Sequence, residues 1–502
     1  MTDPATGAYT VTLLDNVLHA GGPNDENAID PTTSLTYTIT DADNSSATGT
    51  LTITFDDDGP SVTIAAASTV KVALDETATS SGVATIDTGA IVKGNDPDVS
   101  GSGYISTATS VGALVTVNAL FGADGAAASG STVYALTVTN ANSGLTLTDG
   151  SAISLQLVNG AVVGVVSGGT FNGQAAFAIS INATTGAVTV EQYLSLDHPA
   201  EATAGNGFNS YDETLALANG SLGVTVTVKD GDNDTATSNT ADVSSQITFD
   251  DDGPSVTIAA ASTVKVALDE TATSSGVATI DTGAIVKGND PDVSGSGYIS
   301  TATSVGALVT VNALFGADGA AASGSTVYAL TVTNANSGLT LTDGSAISLQ
   351  LVNGAVVGVV SGGTFNGQAA FAISINATTG AVTVEQYLSL DHPAEATAGN
   401  GFNSYDETLA LANGSLGVTV TVKDGDNDTA SSNTADVSSQ ITFDDDGPSV
   451  TIAAASTVKV ALDETATSSG VATIDTGAIV KGNDPDVSGS GYISTATASE
   501  RW

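Results

Sequence analysis

The chain has 502 residues, of which 54 are Asp or Glu and 9 are Lys or Arg, so its formal net charge at pH 7 is −45. Such an acidic surface repels nucleic acid and anionic membranes, which excludes both classes of partner. The lack of cysteine excludes disulfides and thiolate metal sites, while a hydrophobic share of 41% is enough for packed cores.

The sequence also lacks signals for membranes and for N-terminal export. No apolar run approaches the ~18 residues of a membrane-spanning helix. Residues 1–11 have neither the basic nor the apolar region of a cleavable signal peptide. We therefore expect no membrane insertion, and either a cytosolic protein or an export signal that lies elsewhere.

Residues 1–55 resemble the C-terminal part of a repeat that is complete further along the chain. The segment LTYTITDADNSSATGTLTITF, residues 35–55, parallels LGVTVTVKDGDNDTATSNTADVSSQITF, residues 222–249. The N-terminus therefore reads as the end of a preceding repeat.

The rest of the chain is built from one repeated sequence. The motif FDDDGPSV begins at Phe55, Phe249 and Phe443, at a constant interval of 194 residues. The first complete copy, residues 56–249, differs from the second, residues 250–443, only by Thr237 against Ser431. A truncated third copy follows at 444–497. Fixed-period self-similarity is typical of repeat architectures, so the chain reads as a window onto a longer array.

The last five residues, 498–502, do not continue the repeat. Ser-Glu-Arg-Trp followed by a stop codon can be written in a frame that is shifted from one encoding Val-Gly-Ala-Leu-Val, which is the sequence of residues 111–115. We interpret residues 498–502 as a frameshift tail.

Within each copy the hydrophobic period is two, which predicts β-strands. The alternating runs in the first copy are 62–64, 70–72, 153–157, 177–181, 188–190 and 224–228. Turn-forming pairs such as Asp149-Gly150 and Asn159-Gly160 separate them. Many short strands with such punctuation predict an all-β fold of tandem β-sandwiches joined by short Asp-rich linkers. Each copy is one elaborated sandwich or two, with 94–99 as the candidate internal joint; we favour one.

Two groups of aspartates predict calcium sites. The first is the linker triplet that follows a strand and precedes another, and the second is the Asp-Gly-Asp-Asn-Asp loop. Adjacent carboxylates repel one another unless a cation lies between them, and Ca²⁺ takes six to eight oxygen ligands. The linker residues are Asp56, Asp57, Asp58, Asp250, Asp251, Asp252, Asp444, Asp445 and Asp446. The loop residues are Asp230, Asp232, Asp234, Asp424, Asp426 and Asp428.

A strand argument predicts that the two groups meet. If the strand at 224–228 forms a hairpin with 247–249, the hairpin tip lies ~35 Å from the linker that follows it, at about 3.4 Å per residue. The loop at 230–234 should then lie near the preceding linker, 56–58, and share one interdomain Ca²⁺ with it.

Weaker calcium candidates are spread over other loops. They are Asp41, Asp43, Asp75, Glu76, Asp96 and Asp98. Asp124, in Phe-Gly-Ala-Asp-Gly, reads instead as a turn former, since aspartate often fills that role without a metal.

Catalytic patterns are weak, and we expect no enzyme. A Ser/His/Asp triad around Asp197 and His198 lacks a Gly-x-Ser-x-Gly context, so a histidine packed in a strand-end loop is the favoured interpretation. Zincin, phosphate-loop and dinucleotide motifs do not occur. Pairs of carboxylates are frequent in this sequence, so their number alone does not exclude the two catalytic carboxylates of a glycosidase.

An ordered series of motifs resembles the repeats of giant RTX adhesins, which Gram-negative bacteria export by type I secretion. The series is VALDET, FGADG, YALTV, SGL, VEQYLSLDHP, VKDGDND and FDDDGP, and it covers nearly the whole chain. The resemblance implies immunoglobulin-like extender domains, calcium binding, a C-terminal export signal and an extracellular, cell-surface location. The glycine-rich nonapeptide repeats of that family and its C-terminal secretion region do not occur in this sequence.

Together these features predict the structural stalk of a secreted adhesin, stiffened by Ca²⁺ at its linkers. The expected partners are calcium, neighbouring repeats of the same chain, and a host or biofilm surface. Two alternatives stay open at this point: a module that binds glycans or proteins, and an extracellular hydrolase.

Overall fold

The computed structural model describes residues 3, 6–19, 32–67, 69–199, 213–393, 407–447, 460–464 and 466–497. The chain divides into two compact units. The larger comprises Met1–Pro393 and Thr408–Asp444, and the smaller comprises Ala394–Glu407 and Asp445–Trp502. The first complete copy of the repeat belongs to the larger unit, and so does the second apart from residues 394–407. The proposed frameshift tail, 498–502, lies outside the described residues.

Regular structure in the described ranges consists of β-strands and short 3-10 helices, with no α-helix. Nothing helical in those ranges is long and apolar enough to cross a membrane. Before the first complete copy, strands β1 (Thr32–Thr40) and β2 (Ser46–Thr54) form an antiparallel hairpin. Most of this hairpin lies within residues 35–55, the segment that resembles the end of a repeat.

The first complete copy contains fifteen strands in this part of the chain. They are β3 (Ser61–Ala66), β4 (Val72–Asp75), β5 (Ser106–Ala113), β6 (Val115–Leu120), β7 (Thr132–Val138), β8 (Asn142–Thr146), β9 (Ala152–Val158), β10 (Ala161–Ser167), β11 (Ala175–Ile181), β12 (Ala187–Gln192), β13 (Leu215–Ala216), β14 (Leu222–Lys229), β15 (Thr235–Thr237), β16 (Ala241–Asp242) and β17 (Ile247–Asp250). A 3-10 turn, Ser244–Gln246, precedes β17.

The second copy repeats this order, as its near-identical sequence requires. Its strands are β18 (Ser255–Ala260), β19 (Val266–Asp269), β20 (Ser300–Ala307), β21 (Val309–Leu314), β22 (Thr326–Val332), β23 (Asn336–Thr340), β24 (Ala346–Val352), β25 (Ala355–Ser361), β26 (Ala369–Ile375), β27 (Ala381–Gln386), β28 (Leu409–Ala410), β29 (Leu416–Lys423), β30 (Thr429–Ser431), β31 (Ala435–Asp436) and β32 (Ile441–Asp444). Its 3-10 turn is Ser438–Gln440.

In the first copy an antiparallel sheet of six strands, in the order β5-β12-β11-β10-β9-β8, faces smaller sheets. These are β14 with β7, β15 and β16, the trio β13-β17-β4, and the pair β3-β6. Strand β17 runs parallel to β4, so the end of the copy is fastened to its beginning. Only four residues, 251–254, then separate β17 from β18 of the next copy.

One main core lies between these sheets. It draws on residues from Val72 near the start of the copy to Phe249 at its end, and the rings of Phe177 and Phe249 meet at 5.2 Å between centroids. Burying each large apolar side chain contributes about 1.5–3 kcal/mol. The all-β, tandem-sandwich prediction is confirmed.

A smaller core covers the outer face of the six-stranded sheet. Here Val163, Val165 and Tyr193 pack against Ile86, which belongs to the strand-poor segment between β4 and β5. Strand β10 is consequently buried on both faces, which explains its continuous apolar sequence. Gly94, the first residue of the candidate internal joint at 94–99, is hydrogen-bonded to this sheet, since its N donates to Ala175 O at 2.9 Å.

The predicted hairpin between 224–228 and 247–249 is wrong. Strand β14 pairs with β7, β15 and β16, whereas β17 pairs with β13 and β4 in another sheet. The chain returns from β14 through the three-residue strand β15, and the 3-10 turn redirects it before β17. The tip of β14 nevertheless lies beside the preceding linker, since a carboxylate oxygen of Asp232 lies within 4.8 Å of one of Asp57.

Candidate metal centre

The Asp-Gly-Asp-Asn-Asp loop follows directly from β14. Asp234 N donates to Asp230 Oδ1 at 2.8 Å, and Asp230 N donates to Asp234 O at 3.1 Å, which closes the loop on itself. Asn233 adopts φ 84°, a left-handed conformation that asparagine tolerates better than most residues. One carboxylate oxygen from each of Asp230, Asp232 and Asp234 lies within 4.8 Å of the others, and all three residues are buried. The loop therefore gathers three oxygens at one point.

A second loop, residues 121–125, packs tightly against the first. Ala126 forms an isolated β-bridge with Asp230, and the backbone oxygen of Asp124 lies so close to Gly231 that a Cβ there would meet it at 2.5 Å. Asp124 is in a turn, as predicted. Its carboxylate also lies within 4.8 Å of those of Asp57 and Asp232. The turn former thus adds a further oxygen to the cluster.

The preceding linker supplies the next carboxylate. Asp57 is buried and meets Asp232, as the sequence predicted for this linker and loop. Burial and the neighbouring charge of Asp232 raise the pKa of Asp57. The side chain of Asp58 accepts a hydrogen bond from Ala123 N at 3.2 Å, while Asp56 is exposed. Of the triplet, the middle residue is the one that points into the cluster.

The same arrangement recurs where the second copy follows the first. Asp251, the middle residue of its linker, is 0% exposed, and its carboxylate lies within 4.8 Å of Glu213 of the first copy and Asp428 of the second. Asp252 Oδ1 accepts a hydrogen bond from Ala317 N at 3.1 Å. The electrostatic field at Asp318 comes from carboxylates of the second copy and from Glu76 of the first. We call this set the junction cage; its members are Glu213, Asp251, Asp318, Asp424, Asp426 and Asp428.

An apolar contact holds the two copies beside the junction cage. Val99 and Ile105 of the first copy bury Ala317 of the second. Asp98 reaches the turn at Gly319, where a Cβ would meet its carboxylate at 2.4 Å. Burial and the charge of Asp96 raise the pKa of Asp98. The junction cage therefore contains carboxylate oxygens from both copies and is bordered by contacts between the copies.

The junction cage is electrostatically unfavourable for several carboxylates at once. Burial first, and neighbouring carboxylates second, raise the pKa of Asp251 to about 8 and that of Asp424 to about 10, and burial raises the pKa of Asp318 well above its usual range. Both carboxylate oxygens of Asp251 and Asp318 lack a hydrogen-bond partner within the described part of the chain. Burying an unpaired carboxylate costs several kcal/mol. A divalent cation would remove that cost, and an all-oxygen donor set suits a hard ion such as Ca²⁺.

The weaker candidates take different places. Asp41 and Asp43 lie in an exposed loop where both accept hydrogen bonds from Ser45 N. Asp96 Oδ2 accepts hydrogen bonds from Ser195 N and Ser195 Oγ, which makes it a structural brace. Asp75 is exposed beside Asp250 in the parallel β4–β17 ladder, whereas its neighbour Glu76 is buried.

The third linker begins in the larger unit. Asp444 ends β32 and lies in register with Asp269 of β19, as Asp250 does with Asp75. Asp445 and Asp446 are half-buried residues of the smaller unit. Asp250, the first residue of the second linker, is half-buried as well.

Three residues that join the junction were missed or discounted in the sequence. The sequence around Asp318 is typical of an ordinary turn, so it does not mark this residue as a candidate ligand. The packing of Asp318 against Gly425 is what places it in the junction cage. Glu213 carries no local signal. His198 is buried, with its Nδ1 2.6 Å from Glu213 O, which agrees with a histidine packed in a strand-end loop.

The profile of one protein family, described as a domain of unknown function (DUF5801), matches the chain twice, over residues 71–244 and 265–438. Each match lies inside one complete copy of the repeat. No curated protein and no solved structure matches the chain.

Proposed function

The chain belongs to the family of the domain of unknown function DUF5801, and we propose that its tandem copies form an extension segment of a secreted bacterial cell-surface adhesin that Ca²⁺ stiffens at the junctions. The observation that carries this proposal is the junction cage. Buried carboxylates from two successive copies converge there, and none of Asp251, Asp318, Asp424 and Asp426 forms an ion pair with Lys or Arg among the described residues.

A cation in this cage would act as a crosslink between copies. Glu213 belongs to the first copy and the loop 424–428 to the second, so one bound ion fixes both to the linker. Without the ion the carboxylates repel one another, and the junction loosens. Sites of this class in extracellular modules bind with Kd of about 10⁻⁴–10⁻³ M, close to extracellular Ca²⁺ concentrations.

The extracellular location and the adhesin context rest on the motif series that resembles RTX adhesin repeats. Two further features agree with a spacer role. The copies differ at a single position, and repetition of identical modules serves length more readily than catalysis. In addition, Ca²⁺ is scarce inside cells, so the segment would stay loose before export and stiffen afterwards.

The test compares the full chain in millimolar Ca²⁺ and in chelator, by thermal unfolding and small-angle X-ray scattering. At a concentration ten times Kd, each site adds about 1.4 kcal/mol, or roughly 3–6 °C in Tm for a copy of this size. We expect a higher Tm and a longer maximum dimension with Ca²⁺, both reversed by chelator. Identical profiles in the two conditions would rule the proposal out.

A variant pair assigns the effect to the junction cage. Asp251→Asn should lose much of the Ca²⁺-dependent rise in Tm, and should raise Tm in chelator because asparagine avoids the cost of burying a carboxyl group whose charged form is disfavoured there. Asp87→Asn is the control, since Asp87 is exposed and its acceptor for Gly89 N survives in asparagine. A Ca²⁺ response equal in the two variants would mean that the ion binds elsewhere.

A further inference from the structure

A histidine lies directly behind the junction cage with one ring nitrogen facing carboxylates. His198 is 3% exposed, and its Nδ1 lies 2.6 Å from the backbone oxygen of Glu213. A carbonyl oxygen only accepts hydrogen bonds, so Nδ1 carries the proton. Nε2 is then the atom that faces Glu76 Oε1, at 3.6 Å. A hydrogen bond from the far nitrogen to a carbonyl is the arrangement that orients metal-binding histidines.

The two carboxylates in front of Nε2 are as deeply buried as the ring. Glu76 is 1% exposed; its Oε1 accepts hydrogen bonds from Gln192 Nε2 and Leu196 N, and its Oε2 has no hydrogen-bond partner in the described ranges. Asp251 is 0% exposed. One donor atom from each of Glu76, His198 and Asp251 lies within 4.8 Å of the other two. Three buried donors thus converge on one point.

We propose that Glu76, His198 and Asp251 form a second metal site, selective for a divalent transition-metal ion such as Zn²⁺, that shares Asp251 with the junction cage. The imidazole nitrogen distinguishes it from the all-oxygen cage, because imidazole favours Zn²⁺ and its neighbours in the first transition row over Ca²⁺. Ligands about 2.0–2.1 Å from a tetrahedral ion lie roughly 3.3 Å apart. The separation of 3.6 Å between Nε2 and Oε1 is close to that value.

Because both sites would share Asp251, metal binding at the histidine would also fix the linker between the two copies. Its two oxygens can serve one ion each, so the linker residue would be held from the first copy by the histidine site and from the second copy by the junction cage. The histidine–glutamate pair is part of the repeat itself, since His392 Nε2 lies 3.6 Å from Glu270 Oε1 in the second copy.

The experiment uses the full chain, stripped of metal and then saturated with Ca²⁺. Zn²⁺ is titrated by calorimetry, and Co²⁺ serves as its coloured substitute. Wild type should bind at least one more equivalent of Zn²⁺ tightly than His198→Gln does, and the variant should lose part of the Co²⁺ absorption. Asp87→Asn, outside the site, should match wild type. Equal Zn²⁺ stoichiometry in wild type and His198→Gln would overturn the proposal.

Two further measurements test whether the variant folds and which nitrogen of His198 binds the metal. The Ca²⁺-dependent rise in Tm should persist in His198→Gln, which shows that the variant folds and separates failure of this site from failure of the calcium proposal. In wild type, nitrogen NMR of His198 should show Nε2 shifting on addition of Zn²⁺ while Nδ1 keeps its proton. A ring protonated at both nitrogens and indifferent to Zn²⁺ would mean an imidazolium paired with Glu76, and no metal site.

Discussion

Glu191 and Asp251 are both buried, but their surroundings shift the pKa of the carboxyl group in opposite directions. Glu191 is buried, which disfavours its charge, but it accepts hydrogen bonds from Thr85 N at 2.8 Å, Ile86 N at 3.1 Å and Tyr193 OH at 2.9 Å. Lys93 Nζ lies 3.8 Å away. The hydrogen bonds outweigh burial and lower the pKa of Glu191. The ionised side chain thereby fastens the segment at 85–86 to the outer face of the six-stranded sheet.

The pair Glu191→Gln and Glu385→Gln changes this contact in both complete copies. We expect a loss of about 1.5–3 kcal/mol per copy at pH 7, the usual contribution of hydrogen bonds to a charged group. Because the folded-state pKa is lowered, this stability is present above the ordinary pKa of 4.5 and is lost as pH falls through the folded value. Urea unfolding in chelator should therefore show a difference between wild type and variant that shrinks on acidification.

Glu464→Gln, which changes an exposed residue, is the control for that series. We expect it to leave the free energy of unfolding unchanged at every pH. A difference between wild type and the double variant that stayed constant from pH 7 to pH 3 would show that packing, and not the charge of the carboxylates, stabilises the contact.

At the scale of elements, the geometry of the candidate metal centre depends on how two loops approach one another. The loop after β29 presses its Gly425 against the backbone of Asp318, where a Cβ would lie 2.5 Å from the carbonyl oxygen. Because the obstacle is backbone, no side-chain rotation relieves it. Glycine at this position therefore brings the carboxylate of Asp318 beside those of Asp424 and Asp426.

Gly425→Ala should separate these two loops. We expect destabilisation of about 1–3 kcal/mol, typical of overpacking, together with a weaker Ca²⁺-dependent rise in Tm. Gly306→Ala is the matched control, since a Cβ on that strand residue meets nothing within 4 Å. Calorimetric Ca²⁺ titration of both variants distinguishes the two effects. Unchanged Ca²⁺ affinity in Gly425→Ala would show that the approach of the loops is irrelevant to the ion.

At the scale of the whole molecule, the net charge of −45 opposes folding and assembly unless it is screened or neutralised. Monovalent salt screens exposed charges beyond a Debye length of about 10 Å at 0.1 M, whereas an ion bound in the junction cage would neutralise buried charges directly. Monovalent salt should therefore replace bound Ca²⁺ only in part as a means of reducing the repulsion between carboxylates.

We predict that Tm in chelator rises as NaCl increases from about 0.01 to 0.5 M, over which the Debye length falls several-fold. In saturating Ca²⁺ the slope of Tm against salt should be smaller, because part of the repulsion is already removed. Differential scanning calorimetry in the two series makes the comparison. Equal slopes would indicate that bound Ca²⁺ does not neutralise the carboxylates that limit stability.

Much of the fold follows from the sequence because strand and turn signals are local. Residues 153–157 alternate in polarity and form β9, and Asn159-Gly160 supplies two successive positive φ values between β9 and β10. The candidate ligands of the linker and of the Asp-Gly-Asp-Asn-Asp loop could be found for the same reason: their carboxylates are adjacent or alternate in the chain, so repulsion between them is visible without a fold.

Tertiary structure alone decided which strands pair and which oxygens meet. The alternation at 224–228 and 247–249 fits several partners equally well, and the choice of β7 and β4 depends on packing across the whole core. Likewise Glu76 lies more than a hundred residues from His198 in the chain, and His198 lies about fifty residues from Asp251. The three side chains meet only because the parallel β4–β17 pairing brings the two ends of a copy together. A sequence records the donors, but the distances between them are set by contacts that no local pattern encodes.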